Sequence, residues 1–144
     1  MKATDTIFGE VISTYTRAQA VDDGVLVDVT SAADEAGFKW LTAMTRTVYE
    51  RYVAVPPALV GCQDVQGRLM DIIHMLWVAV RTGRIEGDVG EFGLLVRFPA
   101  GATWQSNEKR HAEGEGLRLV TLKAVSGPGD DHKPFITILM PDED

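Results

Sequence analysis

An apolar stripe at helical spacing runs through the middle of the chain and limits what can surround it. Leu69, Ile72, Ile73, Leu76 and Val80 recur at three- and four-residue steps. Met70, Trp77 and Ala79 widen the stripe, so the spacing predicts a helix over 67–82 with much of its surface buried. Arg81 in the last turn and Gly83 beyond it are proper stop signals. Such a helix needs a broad apolar partner. The last third of the chain supplies one, because 117–125 and 135–140 are two apolar runs. The connection between them is dense in glycine, proline and aspartate, which predicts a β-hairpin. In the first run Leu117, Leu119, Thr121 and Lys123 alternate with Arg118, Val120, Leu122 and Ala124. The second run is apolar on both faces, as in a strand covered on one side by the long helix.

The remaining elements follow from caps and breakers. Thr16-Arg17-Ala18-Gln19 reads as a capping box opening a short helix that runs to about Asp23, with Gly24 available for the left-handed position. A β-branched strand is expected over 25–29. Ser31 is expected to cap a helix over 32–36, with Asp34 and Glu35 in its first turns and Gly37 as its stop. A strand over 40–44 and a Thr45-capped helix over 46–53 come next, and Pro56-Pro57 breaks the chain. A strand over 92–98 ends at Pro99, and the polar, glycine-rich stretch 100–116 reads as a mobile loop. This order predicts an α+β fold. It has an about five-stranded mixed sheet, antiparallel at its C-terminal end, with helices packed on one face. At 144 residues, 1–144 is read as a single domain.

Charge and motifs narrow the function classes. The chain carries 21 Asp+Glu against 14 Lys+Arg, a net charge of −7. That balance works against general nucleic-acid binding and favours a basic protein surface as partner. No phosphate loop, dinucleotide fingerprint, zinc spacing or nucleophile elbow is present, so no catalytic residue, metal or cofactor is assigned. With one cysteine, Cys62, no intramolecular disulfide can form, which fits a reducing compartment. The N-terminal stretch lacks the apolar run of a signal peptide, and the most apolar segment, 72–80, is too short to span a bilayer. The expected location is cytoplasmic.

Candidate binding residues come from charge and exposure. Over 1–38 the acids Asp5, Glu10, Asp22, Asp23, Asp28, Asp34 and Glu35 face only Lys2 and Arg17. Asp22, Asp23, Asp28, Asp34 and Glu35 are therefore candidates for meeting a basic partner, although such acids also serve solubility. Trp104 lies in the polar stretch and is a candidate interface anchor, whereas Trp40 and Trp77 are expected in the core. Lys109-Arg110-His111 is a basic cluster beside Trp104, in a field mixed by Glu108, Glu113 and Glu115. Asp130 and Asp131, followed by His132, offer two carboxylates and an imidazole in the hairpin connection, where turn chemistry is the plainer reading. An alternative ligand site has two parts. Tyr15 and Arg17 sit at a helix start able to attract an anion, and Asp71 and His74 lie three apart on one helix face. The plainer readings are a capping box and a surface pair. Cys62 is a possible nucleophile only with a histidine near it in space.

Two stretches, 15–29 continuing to Ala36-Gly37-Phe38, and 119–131 (Leu-Val-Thr-Leu-Lys-Ala-Val-Ser-Gly-Pro-Gly-Asp-Asp), carry a likeness. Through them the chain resembles a family of small proteins of unknown function carried by bacteria, plasmids and phages. The likeness spans most of the length and is weakest over 100–116. It implies no catalytic residues. It implies the company of mobile-element genes, where small acidic proteins disable host defence by binding a restriction or CRISPR complex. The expected function is thus an acidic protein that inhibits a defence complex by stoichiometric association. The alternatives are a small enzyme for a nucleotide-like or phosphorylated ligand, or a homo-oligomeric accessory module pairing through the edge of the C-terminal hairpin or through the Trp104 loop.

Overall fold

The computed structural model describes residues 17–85, 87–111, 116–128 and 134–143, with the side chains of Arg17 and Pro128 excepted. The elements in chain order are α1 (Arg17–Asp22), β1 (Leu26–Asp28), α2 (Thr30–Ala36), β2 (Leu41–Thr45) and α3 (Arg46–Val48). A π-helical turn (Tyr49–Val53) and a 3-10 turn (Pro57–Leu59) lead to the long α4 (Val65–Arg81). The strands β3 (Val89–Arg97), β4 (Glu108–Arg110), β5 (Leu117–Pro128) and β6 (Pro134–Leu139) complete the fold.

The strands form one open six-stranded sheet in the order β1-β2-β6-β5-β3, with β4 paired to β5. The β2–β6 pair is parallel and the other pairs are antiparallel. β3 lies along β5 from Arg97↔Leu117 to Val89↔Val125. β4 takes Arg118 to Val120 of β5, and β6 takes Lys123 to Pro128. One long strand thus serves two short ones. Along β5, Arg118, Val120, Leu122 and Ala124 are buried while Leu119 is exposed, and Phe92, Leu94 and Val96 alternate likewise on β3. That period of two buries one sheet face under helices. Ile72, Ile73 and Leu76 of α4 meet Val120, Leu122 and Ile138 in the same core cluster. The α+β class, the mixed sheet and the C-terminal antiparallel pairing agree with the sequence reading.

Several boundaries differ, each for a local reason. α4 begins two residues before Gly67, because the Asp64 carboxylate caps the Gly67 amide at 2.5 Å. Ser31 does not cap α2. Instead Asp28 Oδ1 accepts from the Thr30 amide and hydroxyl at 2.9 and 2.6 Å. Gly37 ends α2 with φ 111°, as its position in the sequence implies. Thr45 does cap the following helix, accepting from the Val48 amide. That helix then widens, with Ala54 donating to the Tyr49 carbonyl five residues back. Trp40 precedes β2 and is 42% exposed rather than buried, while Trp77 is half-buried and stacks on His74. The described part of 100–116 is not a mobile loop, because it contains β4 and the buried Glu108.

Candidate functional site

Glu108 organises the end of the molecule formed by the π-helical turn, the close of β3 and the start of β5. Its side chain is 0% exposed and pairs with Arg51 and Arg118. Oε2 accepts from Arg51 Nε at 2.6 Å and from the Tyr52 hydroxyl at 2.5 Å. Oε1 accepts from Arg51 Nη2 and Arg118 Nη1, both at 2.8 Å, and from the Gln105 amide at 3.1 Å. Burial pushes this carboxyl up, but hydrogen bonds from Arg51, Tyr52, Gln105 and Arg118 more than offset it, holding its pKa down at about 2. Burial and the bond to Glu108 raise the Tyr52 phenol above its usual value. Asn107 ties the same phenol to the sheet by donating to the Tyr52 hydroxyl and to the Thr121 carbonyl, each at 3.0 Å.

Arg118 extends this buried network to the surface. Its guanidinium lies 4.1 Å from the Phe98 ring centre and 3.6 Å from that of Trp104. Nη1 also donates to the Thr103 carbonyl at 2.5 Å, and Nη2 donates to the Ala102 carbonyl at 2.8 Å. Arg51 Nη2 reaches the same Thr103 carbonyl at 2.7 Å. The polar stretch before β4 is therefore bolted to the core by two cations. Trp104 is held in place while still 47% exposed.

Beside it opens a cleft of about 790 Å³ lined by Leu59, Arg97, Phe98, Trp104, Arg110 and Arg118, among others. That volume falls within the range of small-molecule sites. Arg110 stands 5.7 Å from the Trp104 ring centre. Arg97 and Arg110 are exposed, and neither has an ion pair among the described residues. Among the described residues the exposed charges lining the cleft are the guanidiniums of Arg97 and Arg110, in a net-acidic chain, and these suit anionic groups and flat apolar ones.

The residues singled out from sequence divide into several groups. Trp104 and Arg110 come together in the cleft, and Lys109 is exposed on β4 next to them. Asp22, Asp23, Asp28, Asp34 and Glu35 are all exposed on α1, β1, α2 and their junctions. The strand order puts these acids at the β1 edge, away from the β3 edge that carries Arg97. Asp28 is engaged in its bonds to Thr30, and Asp34 pairs with Lys39 at 3.8 Å. Asp71 and His74 are both exposed on α4, where Asp71 interacts with Arg68 and His74 stacks on Trp77 at 6.4 Å. Cys62 is exposed, and its thiol donates to the Leu59 carbonyl. Tyr15, Asp130 and Asp131 lie outside the described residues, as does the side chain of Arg17. Among the described residues no group of three or more His, Cys, Asp or Glu is placed to hold a metal ion.

Arg51, Tyr52, Glu108 and Arg118 were not singled out from sequence. The one available signal was Arg118, an arginine in the set Arg118, Val120, Leu122, Ala124 that proves to be the buried face of β5. An arginine among core positions demands a buried anion. Nothing in Glu108-Lys109-Arg110 marks Glu108 as that anion, since its Arg51 partner lies 57 residues away.

Fold and site together define an open-sheet α+β protein with a cationic, aromatic-walled cleft at one end. The chain belongs to the family of unknown function DUF6573, which matches residues 5–144. No curated protein and no solved structure matches the chain. Among the described residues no helix is long and apolar enough to cross a membrane.

Proposed function

We propose that the protein acts by stoichiometric association with another macromolecule, and that Trp104 is the anchor of the interface. The observation that carries this reading is the clamp on Trp104. One ring face packs on the buried Arg118 guanidinium, which Glu108 and two carbonyls hold in turn. The ring is ordered before any partner arrives, so docking costs little side-chain entropy. Tryptophan flanked by arginine is also the composition that dominates binding hot spots. In the mobile-element setting that the resemblance implies, the partner is a restriction or CRISPR complex, and the protein inhibits it.

The exposed acids Asp22, Asp23, Asp34 and Glu35 support a second contact, with a basic groove of the same kind of target. One experiment separates the two contacts. Purified defence complexes are mixed with the wild type, Trp104→Ala, and Asp22→Lys/Asp23→Lys, at low and high salt, and co-elution is measured. The expected result is a complex weakened at least about tenfold by Trp104→Ala, the loss of one hot-spot side chain. If the acidic contact dominates, the lysine variant and high salt abolish the complex while Trp104→Ala leaves it. No complex under any condition refutes the association reading.

A further inference from the structure

Arg68 is a buried cation without a counter-charge in contact. It lies on α4, is 5% exposed, and makes no ion pair among the described residues. Its Nε donates to the Tyr52 carbonyl at 2.9 Å. Nη1 donates to Gln63 Oε1 at 2.9 Å and to the Arg97 carbonyl at 3.0 Å. Nη2 is buried and has no hydrogen-bond partner among the described residues. Glu108 neutralises part of the neighbouring charge, yet Arg68 receives only neutral acceptors. An unanswered donor on a buried guanidinium is costly, and neutral acceptors leave the Arg68 charge uncompensated where the pocket adjoins it.

A small pocket of about 140 Å³ adjoins Arg68, lined also by Tyr52, Gln63, Asp71, Leu95 and Arg97, among others. This is several times the share of liquid volume taken by one water, roughly 30 Å³, and it has room for one tetrahedral oxyanion. Further donors meet there. Gln63 gives its carbonyl oxygen to Arg68, which leaves its side-chain NH2 group as a donor at the wall. The outer edge of β3 contributes as well. Phe98 donates its amide toward Gly116, on the β5 side, while the Arg97 carbonyl accepts from Arg68 on the other side. Backbone groups alternate along a strand, so the Arg97 amide is aimed outward with its carbonyl.

We propose that the Arg68 pocket binds a phosphoryl group, with the Gln63 amide and the Arg97 backbone amide as donors and the Arg68 guanidinium as the positive charge behind them. Donors from a loop and a strand that converge from different directions, with the helix-borne Arg68 charge behind them, suit tetrahedral oxygens better than the two coplanar oxygens of a carboxylate. Asp71 at the wall opposes the anion and sets the affinity lower than the donors alone would allow. The site is distinct from the Trp104 cleft, with which it shares Arg97 and Leu117. It does not depend on the association proposed above.

The test is the thermal midpoint of the full chain titrated with inorganic phosphate, phenyl phosphate or acetate, with sodium chloride holding ionic strength constant. Binding to the native state raises the midpoint saturably. The expected result is a saturable rise with phosphate and none with acetate. An equal rise with phenyl phosphate assigns the site to a monoester, and phosphate alone assigns it to the free ion. Arg68→Met removes bonds to Tyr52 and Arg97 and risks unfolding, so two gentler variants carry the test. Gln63→Glu supplies an internal counter-ion to Arg68 and should weaken phosphate binding at least about tenfold, while Asp71→Asn should strengthen it about fivefold. Trp104→Ala should leave it unchanged. The proposal is overturned by no response in the wild type, by an acetate response equal to that of phosphate, by a response that persists in Gln63→Glu, or by one lost in Trp104→Ala.

Discussion

Replacing Glu108 by glutamine should destabilise the protein by about 3–5 kcal/mol, the usual cost of stripping one partner from a buried ion pair. The geometry shows why a near-isosteric change is so severe. Both oxygens already accept, Oε1 from Arg51, Arg118 and Gln105, and Oε2 from Arg51 and Tyr52. An amide NH2 in either position points a donor at a guanidinium donor. Tyr52 can adapt, because a hydroxyl both donates and accepts, but Arg51 and Arg118 cannot. Arg118, with a side chain 5% exposed, is left as a buried charge without its carboxylate.

The pH dependence gives an independent magnitude. Glu108 falls from an ordinary value of 4.5 to about 2 in the folded chain. That gap corresponds to about 3 kcal/mol. Because the folded pKa is the depressed one, this stability is fully present above the unfolded value of 4.5 and is lost as pH falls toward about 2. Urea denaturation of wild type and Glu108→Gln between pH 2 and 7 should therefore show a constant gap above pH 5 that narrows below it. The thermal midpoint at pH 7 should fall by roughly 10 °C. A gap under about 1 kcal/mol at pH 7, of the size seen for exposed pairs, or one that does not narrow in acid, would refute the assignment of Glu108 as the buried counter-charge.

Other substitutions test other joints. Gly37→Ala places a Cβ 3.1 Å from Trp77 Nε1 at a φ of 111°, so it should cost about 1–2 kcal/mol by thermal or urea denaturation. Asp64→Ala removes the cap on the Gly67 amide and should cost about 1 kcal/mol by the same measurement. Trp40 and Trp104 are 42% and 47% exposed while Trp77 is half-buried. Acrylamide should therefore quench the wild type much more efficiently than a Trp40→Phe/Trp104→Phe variant. Equal quenching would contradict the placement of those rings.

The parts of the fold that were legible are those governed by near neighbours in the chain. Gly37 ends its helix because it alone accepts the left-handed backbone, and Thr45 caps the next because its hydroxyl meets an amide three residues on. The hairpin of β5 and β6 follows from two apolar runs and a turn-rich join. What escaped depends on distant partners. Within 100–116 the Glu108 carboxylate is consumed internally by Arg51, Tyr52 and Arg118 and the Asn107 amide by Tyr52 and Thr121, while Gln105, Lys109 and Arg110 stay exposed, and composition cannot separate the two kinds. Trp40 lies outside the core that its large apolar ring suggests, because it flanks a strand whose first residue, Leu41, is itself exposed. The orphaned donor of Arg68 was invisible for a related reason, since only the packed chain reveals which of its nitrogens goes unanswered.

The strand order also governs how the chain can assemble. Among the described residues, β1 and β2 reach the rest of the sheet only through β6, which lies between β2 and β5. Without β6, the β1–β2 pair and the β3–β5–β4 group share no ladder, and β2 and β5 each lose a hydrogen-bonding neighbour. A ribosome-bound chain stalled before β6 should accordingly resist capture in its native shape and remain a chaperone client, and force applied to β6 should split the sheet in two rather than peel it from one side.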